Sequence, residues 1–196
     1  MRLRPSLLLL LAAVGCGDNL EPDEPELGDC VPDIRQIAEE PGRHFPPGSM
    51  IEWSSNPPAT GAHFGVWARW SRTYAEPLPR GYWVHNLEHG GVILLYRCPD
   101  GCRNIVAGLQ EMVDGLDADP KCTSPRRTRT IITPDPELPA EVRVAAAAWN
   151  WTYTAECLDT ESLRAFVVEH YAQAPENTCA EGGYPEGLAA RPDSLH

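Results

Sequence analysis

Val84-His85-Asn86-Leu87-Glu88-His89-Gly90-Gly91-Val92-Ile93-Leu94-Leu95-Tyr96 is the stretch whose reading decides the fold. Its second half, Val92 to Tyr96, is a continuous apolar run of strand length, which predicts a buried strand. Its first half carries two histidines four residues apart with a glutamate beside the second. In a strand, His85 and His89 would share a face but lie about 13 Å apart, at about 3.3 Å per residue, too far for one ion. On a helical turn they come within about 5–6 Å at Cβ. A shared metal site therefore requires a turn or short helix ending at Gly90-Gly91, and glycine is a good residue to end one. The preceding Gly81-Tyr82-Trp83-Val84 is not helix-like, so little helix is expected beneath the motif.

Working outward, Pro99-Asp100-Gly101 is a turn, and Ile105, Leu109, Met112 and Leu116 recur at helical spacing, which predicts an amphipathic helix over Arg103 to Leu116. Thr128 to Thr133 is β-branched and closed by Pro134-Asp135-Pro136, a strand and its stop. Val142 to Trp149 reads as a strand despite its alanines. Leu163, Phe166, Val167 and Tyr171 mark a last helix, capped by Asp159 or Thr160. Upstream, Pro32 to Glu40 predicts a short helix with Ile34 and Ile37 on one side. His44 to Gly81 is rich in Pro, Gly, Ser and Trp and reads as long loops with a short strand at Met50–Trp53. The expectation is a single α+β domain over residues 30–180: a loop-rich, histidine-bearing N-terminal half, then β-α-β-β-α with a small sheet.

The rest of the chain speaks to location. Of 196 residues, 42% are hydrophobic and 22% charged, as befits one globular domain. Arg2 and Arg4 precede an apolar run from Leu7 to Val14, too short to span a bilayer and suited to a signal peptide over residues 1–15. Ala13-Val14-Gly15-Cys16 looks like a bacterial lipobox, which makes Cys16 the acylated anchor to a membrane. Residues 16–29 are acidic and proline-broken, a flexible tether. Residues 181–196 read as an irregular tail. The net charge of −12 argues against nucleic acid as a partner, and loss of both leader arginines would deepen it to −14. With Cys16 set aside, Cys30, Cys98, Cys102, Cys122, Cys157 and Cys179 remain as disulfide candidates in an oxidising, extracytoplasmic compartment, on the periplasmic side or cell surface. Cys98 and Cys102 are expected to pair with each other or with Cys122, and Cys30 with Cys179.

The chemistry-bearing residues gather in the least regular half. His44, His63, His85 and His89 sit in short phrases punctuated by glycine and proline, and neutral imidazole is the commonest protein ligand for such metals as Cu and Zn. These four are the candidate metal ligands; His170 and His196 receive no role. Glu88 is the candidate base, or the group that orients a neighbouring imidazole. His85-x-x-Glu88-His89 also matches a zinc-peptidase string, a chemistry that needs a long helix under the motif. Trp53, Trp67, Trp70 and Trp83 share this half and would wall a pocket or fill its core. There is no G-x-S-x-G elbow, phosphate loop or nucleotide fingerprint.

The Pro-Pro-x-x-Gly-x-His segment ending at His63, and Val84-His85-x-Leu87-Glu88-His89-Gly90 running into an apolar strand, resemble the bacterial domain of unknown function 3105. His44 upstream and the Ala148-Trp149 pair downstream fit the same pattern, which spans about Arg43 to Glu176. The pattern often has glycine where this chain has Asn150, and it does not include the six cysteines. The resemblance implies an architecture and candidate residues, and no reaction. Two functional classes follow: a lipid-anchored, extracytoplasmic protein with a histidine-rich Cu or Zn site, or a non-catalytic envelope interaction domain whose histidines are structural. A metal-dependent hydrolase on the same segment is the third.

Overall fold

The computed structural model describes residues 30–99 and 102–183. The expected leader, Cys16, the tether and the tail beyond Gly183 lie outside the described residues. In chain order the elements are β1 (Asp33–Gln36), β2 (His44–Phe45), β3 (His63–Phe64), β4 (Arg72–Thr73), α1 (Arg80–Glu88), β5 (Val92–Tyr96), α2 (Arg103–Asp114), β6 (Thr130–Pro134), β7 (Val144–Ala148), β8 (Trp151–Ala155) and α3 (Thr160–His170). This is the expected single α+β domain.

All five residues of β5 are buried, because helices or loops cover both of its faces. Val92, Leu94 and Tyr96 pack into one layer with Val106, Leu109 and Met112 of α2 and Leu163, Phe166 and Val167 of α3. Ile93 and Leu95 point the other way, into a layer built from Trp70, Trp83, Val84, Leu87 and Trp149. The alternation follows from the two-residue period of a strand. β5 lies inside a six-stranded mixed sheet of order β1-β8-β7-β5-β6-β4. It runs parallel to β6, with α2 as the crossover, and antiparallel to β7. Asp159 is the cap of α3, its carboxylate accepting from the Glu161 and Ser162 amides, a contact that typically contributes about 1 kcal/mol.

Three expectations need correcting. Pro32–Glu40 is not a helix; its ordered part is β1, antiparallel to β8. Every β1 residue is exposed, so Ile34 and Ile37 do not form a buried stripe, and backbone pairing holds the segment instead. Met50–Trp53 forms no strand; β4 takes the sheet edge beside β6, and the Trp53 indole donates to the Ala62 carbonyl at 2.9 Å. Cys30 pairs with Cys157, not with Cys179, which pairs with Cys122, while Cys98 pairs with Cys102. The β1–β8 register explains the first: Asp33 lies opposite Thr154, and three more residues along each strand bring Cys30 opposite Cys157. β8 itself went unforeseen, although Trp-Thr-Tyr-Thr-Ala is a strand-like alternation. Asn150, between β7 and β8, has φ +63°. Asparagine and glycine tolerate that left-handed conformation, which accounts for the departure from the family pattern.

The three disulfides suggest an oxidising, extracytoplasmic compartment. Among the described residues no helix is long and apolar enough to cross a membrane.

Candidate metal centre

The segment from Gly81 to Val84 is helical after all, as part of α1. Its intrinsic propensity is poor, but Trp83, Val84 and Leu87 are fully buried against the sheet, and packing of that kind outweighs propensity. Arg80 fixes the first turn to Asp135, at 2.8 Å. The last turn is closed by Gly90, which has φ +86°; its amide donates to the Leu87 carbonyl and that of Gly91 to the Asn86 carbonyl. That is the Schellman stop that favours glycine. His85, Glu88 and His89 therefore leave one face of a helix end, as a shared site requires.

β2 and β3 bring the other two histidines. They form a parallel pair in which His44 lies directly beside His63 and Phe45 beside Phe64. β3 packs on α1, where the Phe64 and Tyr82 rings meet edge-on at 5.0 Å. His44, His63, His85 and Glu88 each then offer a ligand atom, all within 4.8 Å of one another. Gly42 lies so close that a Cβ there would run into the Glu88 carboxylate. The group is graded in access: His63 is fully buried and His85 nearly so, the Glu88 side chain is 13% exposed, and that of His44 is 56% exposed.

Proton bookkeeping constrains the imidazoles. His63 Nδ1 lies 2.9 Å from the Gly61 carbonyl oxygen and His85 Nδ1 2.6 Å from that of Phe64. A carbonyl only accepts, so both Nδ1 atoms carry the proton and donate it. In the neutral rings each Nε2 is then a bare lone pair. His63 Nε2 sits 3.1 Å from Glu88 Oε2, yet it makes no hydrogen bond among the described residues. Close contact without alignment is what ligand atoms around a common point show, because their lone pairs aim at that point and not at each other. His44 Nε2 is 3.7 Å from the same oxygen.

His89 stands beside this group. Its Nε2 is 3.2 Å from His85 Nε2 and 3.0 Å from Glu176 Oε2. Trp67 closes over both rings, with centroids 4.9 Å from His85 and 4.5 Å from His89. Asn86 sets that tryptophan by pairing its amide with both backbone groups of Ala68. Trp70 and Trp83 fill the core, as the second of the two expectations for the tryptophans had it.

Burial pushes the His85 pKa down to about 4, helped by the neighbouring imidazoles and opposed by the hydrogen bond to Phe64. Burial also lowers His89, against the pull of Glu176 and Glu88. For Glu88, burial acts upward, but the surrounding imidazoles, His63 foremost, outweigh it and the net direction is down. The folded protein thus binds fewer protons at His85 than the unfolded chain between the two pKa values. The stability His85 contributes is complete above about pH 6.5 and is lost as pH falls toward 4. The loss approaches about 3 kcal/mol, at about 1.4 kcal/mol per unit. Denaturant midpoints measured with a chelator present should fall through this window, and a His85→Gln protein should fall less.

Glu176 and Asn86 were not foreseen from sequence, whereas Trp67 walls the site as the first of the two expectations for the tryptophans had it. Glu176 lies in an aperiodic stretch far from the histidine phrases, and only its carboxylate chemistry was a signal.

A helix-covered mixed sheet, fastened by disulfides and carrying a buried histidine–carboxylate cluster at a helix C-terminus, defines the class: a small α+β domain with one preorganised polar centre. The chain belongs to the family described as Protein of unknown function (DUF3105), whose profile matches residues 44–183 and so takes in every residue of the cluster. No curated protein and no solved structure matches it.

Proposed function

We propose that this is an extracytoplasmic metal-binding protein, held to a membrane through acylated Cys16, whose centre takes a divalent Cu or Zn ion on His44, His63, His85 and Glu88. The observation that carries the reading is the commitment of two buried Nδ1–H groups to backbone carbonyls. Metal-ligating histidines almost always donate their other ring N–H in this way, which fixes the tautomer and leaves Nε2 free for the ion. The donor set fits the chemistry: three imidazoles and a carboxylate suit Zn(II) or Cu(II), whereas Cu(I) prefers sulfur. Ligands about 2.0–2.2 Å from a tetrahedral ion lie about 3.4 Å apart. The separations of 3.1 and 3.7 Å from Glu88 to His63 and His44 straddle that value.

The structural reading of the histidines has less support, since it leaves the buried His63 Nε2 without a hydrogen bond beside a carboxylate. The hydrolase reading has less support too: α1 is nine residues long and stops at Glu88, short of the long helix the string needs, and Glu88 is in contact with two imidazoles and acts here as a ligand, not as a free base. Metal analysis and calorimetric titration with ZnCl2 or CuCl2 test the proposal, using the full chain exported without a histidine tag. Bound metal, or uptake at micromolar concentration or below, is expected. Absence of both refutes the centre.

A further inference from the structure

We infer that the centre is binuclear, with a second divalent cation held by His89, Glu176 and His85 beside the first. The inference rests on the metal-binding reading above and adds a carboxylate that lies 87 positions beyond His89 in the chain.

The geometry repeats itself. Around Glu88 Oε2, two imidazole nitrogens lie at 3.1 and 3.7 Å. Around His89 Nε2, a carboxylate oxygen lies at 3.0 Å and an imidazole nitrogen at 3.2 Å. In each set these two separations are those of neighbouring ligands on one ion. The single lone pair of His85 Nε2 serves one ion at a time: with one ion bound it completes the first set, and when the second ion binds its contact with His89 transfers it to that ion. Each ion then has two imidazoles and one carboxylate, leaving open coordination positions. The His85 ring centroid is 4.6 Å from that of His63 and 4.8 Å from that of His44, so the two triads adjoin. Paired metal sites place their ions about 3.5–4 Å apart.

Glu176 is also held, not merely nearby. Its amide donates to the Glu88 carbonyl at 2.9 Å, the last residue of α1. The next residue, Asn177, takes a hydrogen bond from Arg129 at 2.8 Å, and that same guanidinium nitrogen donates to the His89 carbonyl at 2.8 Å. Cys179 is bonded to Cys122. An exposed carboxylate serving only solubility would have no need of such an anchorage.

Metal stoichiometry tests this, with ZnCl2 as the probe for calorimetry and CuCl2 for electron paramagnetic resonance. The full chain should take up two ions and show dipolar coupling between two Cu(II) centres. The Glu176→Gln protein should take up one ion and lose the coupling, with its melting temperature in chelator unchanged because the side chain is 56% exposed. One ion in both proteins overturns the second position and leaves the first standing. Two ions in both overturn Glu176 as a ligand. No ion in either refutes the whole centre.

Discussion

Glu88→Gln should reduce metal affinity by about a hundredfold or more while leaving the metal-free fold intact or slightly more stable. Changes to groups that only orient a metal ligand already cost about 10–100-fold, and loss of a ligand's charge costs at least as much. The second half of the expectation follows from proton positions. His63 donates from Nδ1 to Gly61, so its Nε2 lone pair faces the Glu88 oxygen at 3.1 Å, acceptor against acceptor. A glutamine amide donates an N–H into that contact and turns it into a hydrogen bond, and a buried acceptor gaining a partner is stabilised. Calorimetric titration and a melt in chelator read the two halves separately. Were Glu88 instead the partner of a permanently protonated imidazole in a structural pair, the same replacement would lower the melting temperature and say nothing about metal. That result would overturn the ligand role.

Arg129→Ala should be the most destabilising single replacement away from the cluster, by roughly 3–5 kcal/mol. The guanidinium is 2% exposed and holds Asp119 at 2.7 Å. Tyr171 joins them: its hydroxyl donates to Asp119 at 2.8 Å and accepts the Arg129 amide at 2.6 Å. Burial pushes that phenol up to about 12, opposed by its contacts with Arg129 and helped by the hydrogen bond and charge of Asp119, so it stays a donor at any working pH. Removing the arginine strands a buried carboxylate and frees the His89 carbonyl and Asn177. Thermal denaturation should show a fall on the order of 10 °C for a domain of this size. An Arg129→Met, Asp119→Leu double variant should recover much of it, since replacing both partners leaves no unpaired charge. A fall of under about 1 kcal/mol for the single variant would mean that water reaches the pair and the argument fails.

The elements that were legible in the sequence bury a pattern contiguous along the chain. Val92–Tyr96 is apolar throughout because both faces of β5 are covered, and the periodic residues of α2 and α3 point into one layer. β1 was illegible because its order comes from backbone bonds to β8, which leave no trace in its side chains. α1 was illegible for the opposite reason. His85 and Asn86 are buried alongside Trp83, Val84 and Leu87, so polar residues interrupt the apolar stripe that marks a helix. The four histidines could be gathered as a pool from their phrases, but their partition could not. Which imidazole meets Glu88 and which meets Glu176 depends on the β2–β3 register and on a segment tied down by Asn177 and Cys179.

The parallel pairing of β2 with β3 also bears on how this chain tolerates insertion and deletion. Side chains alternate along a strand, so adding or removing one residue next to His44 or His63 turns that imidazole to the opposite face and dismantles the cluster without touching a ligand. The largely exposed part of the connection, residues 46–52, is under no such constraint of phase. Length variation among natural and engineered versions of this chain should therefore collect there, and a frame of fixed count should persist around the two histidine dipeptides.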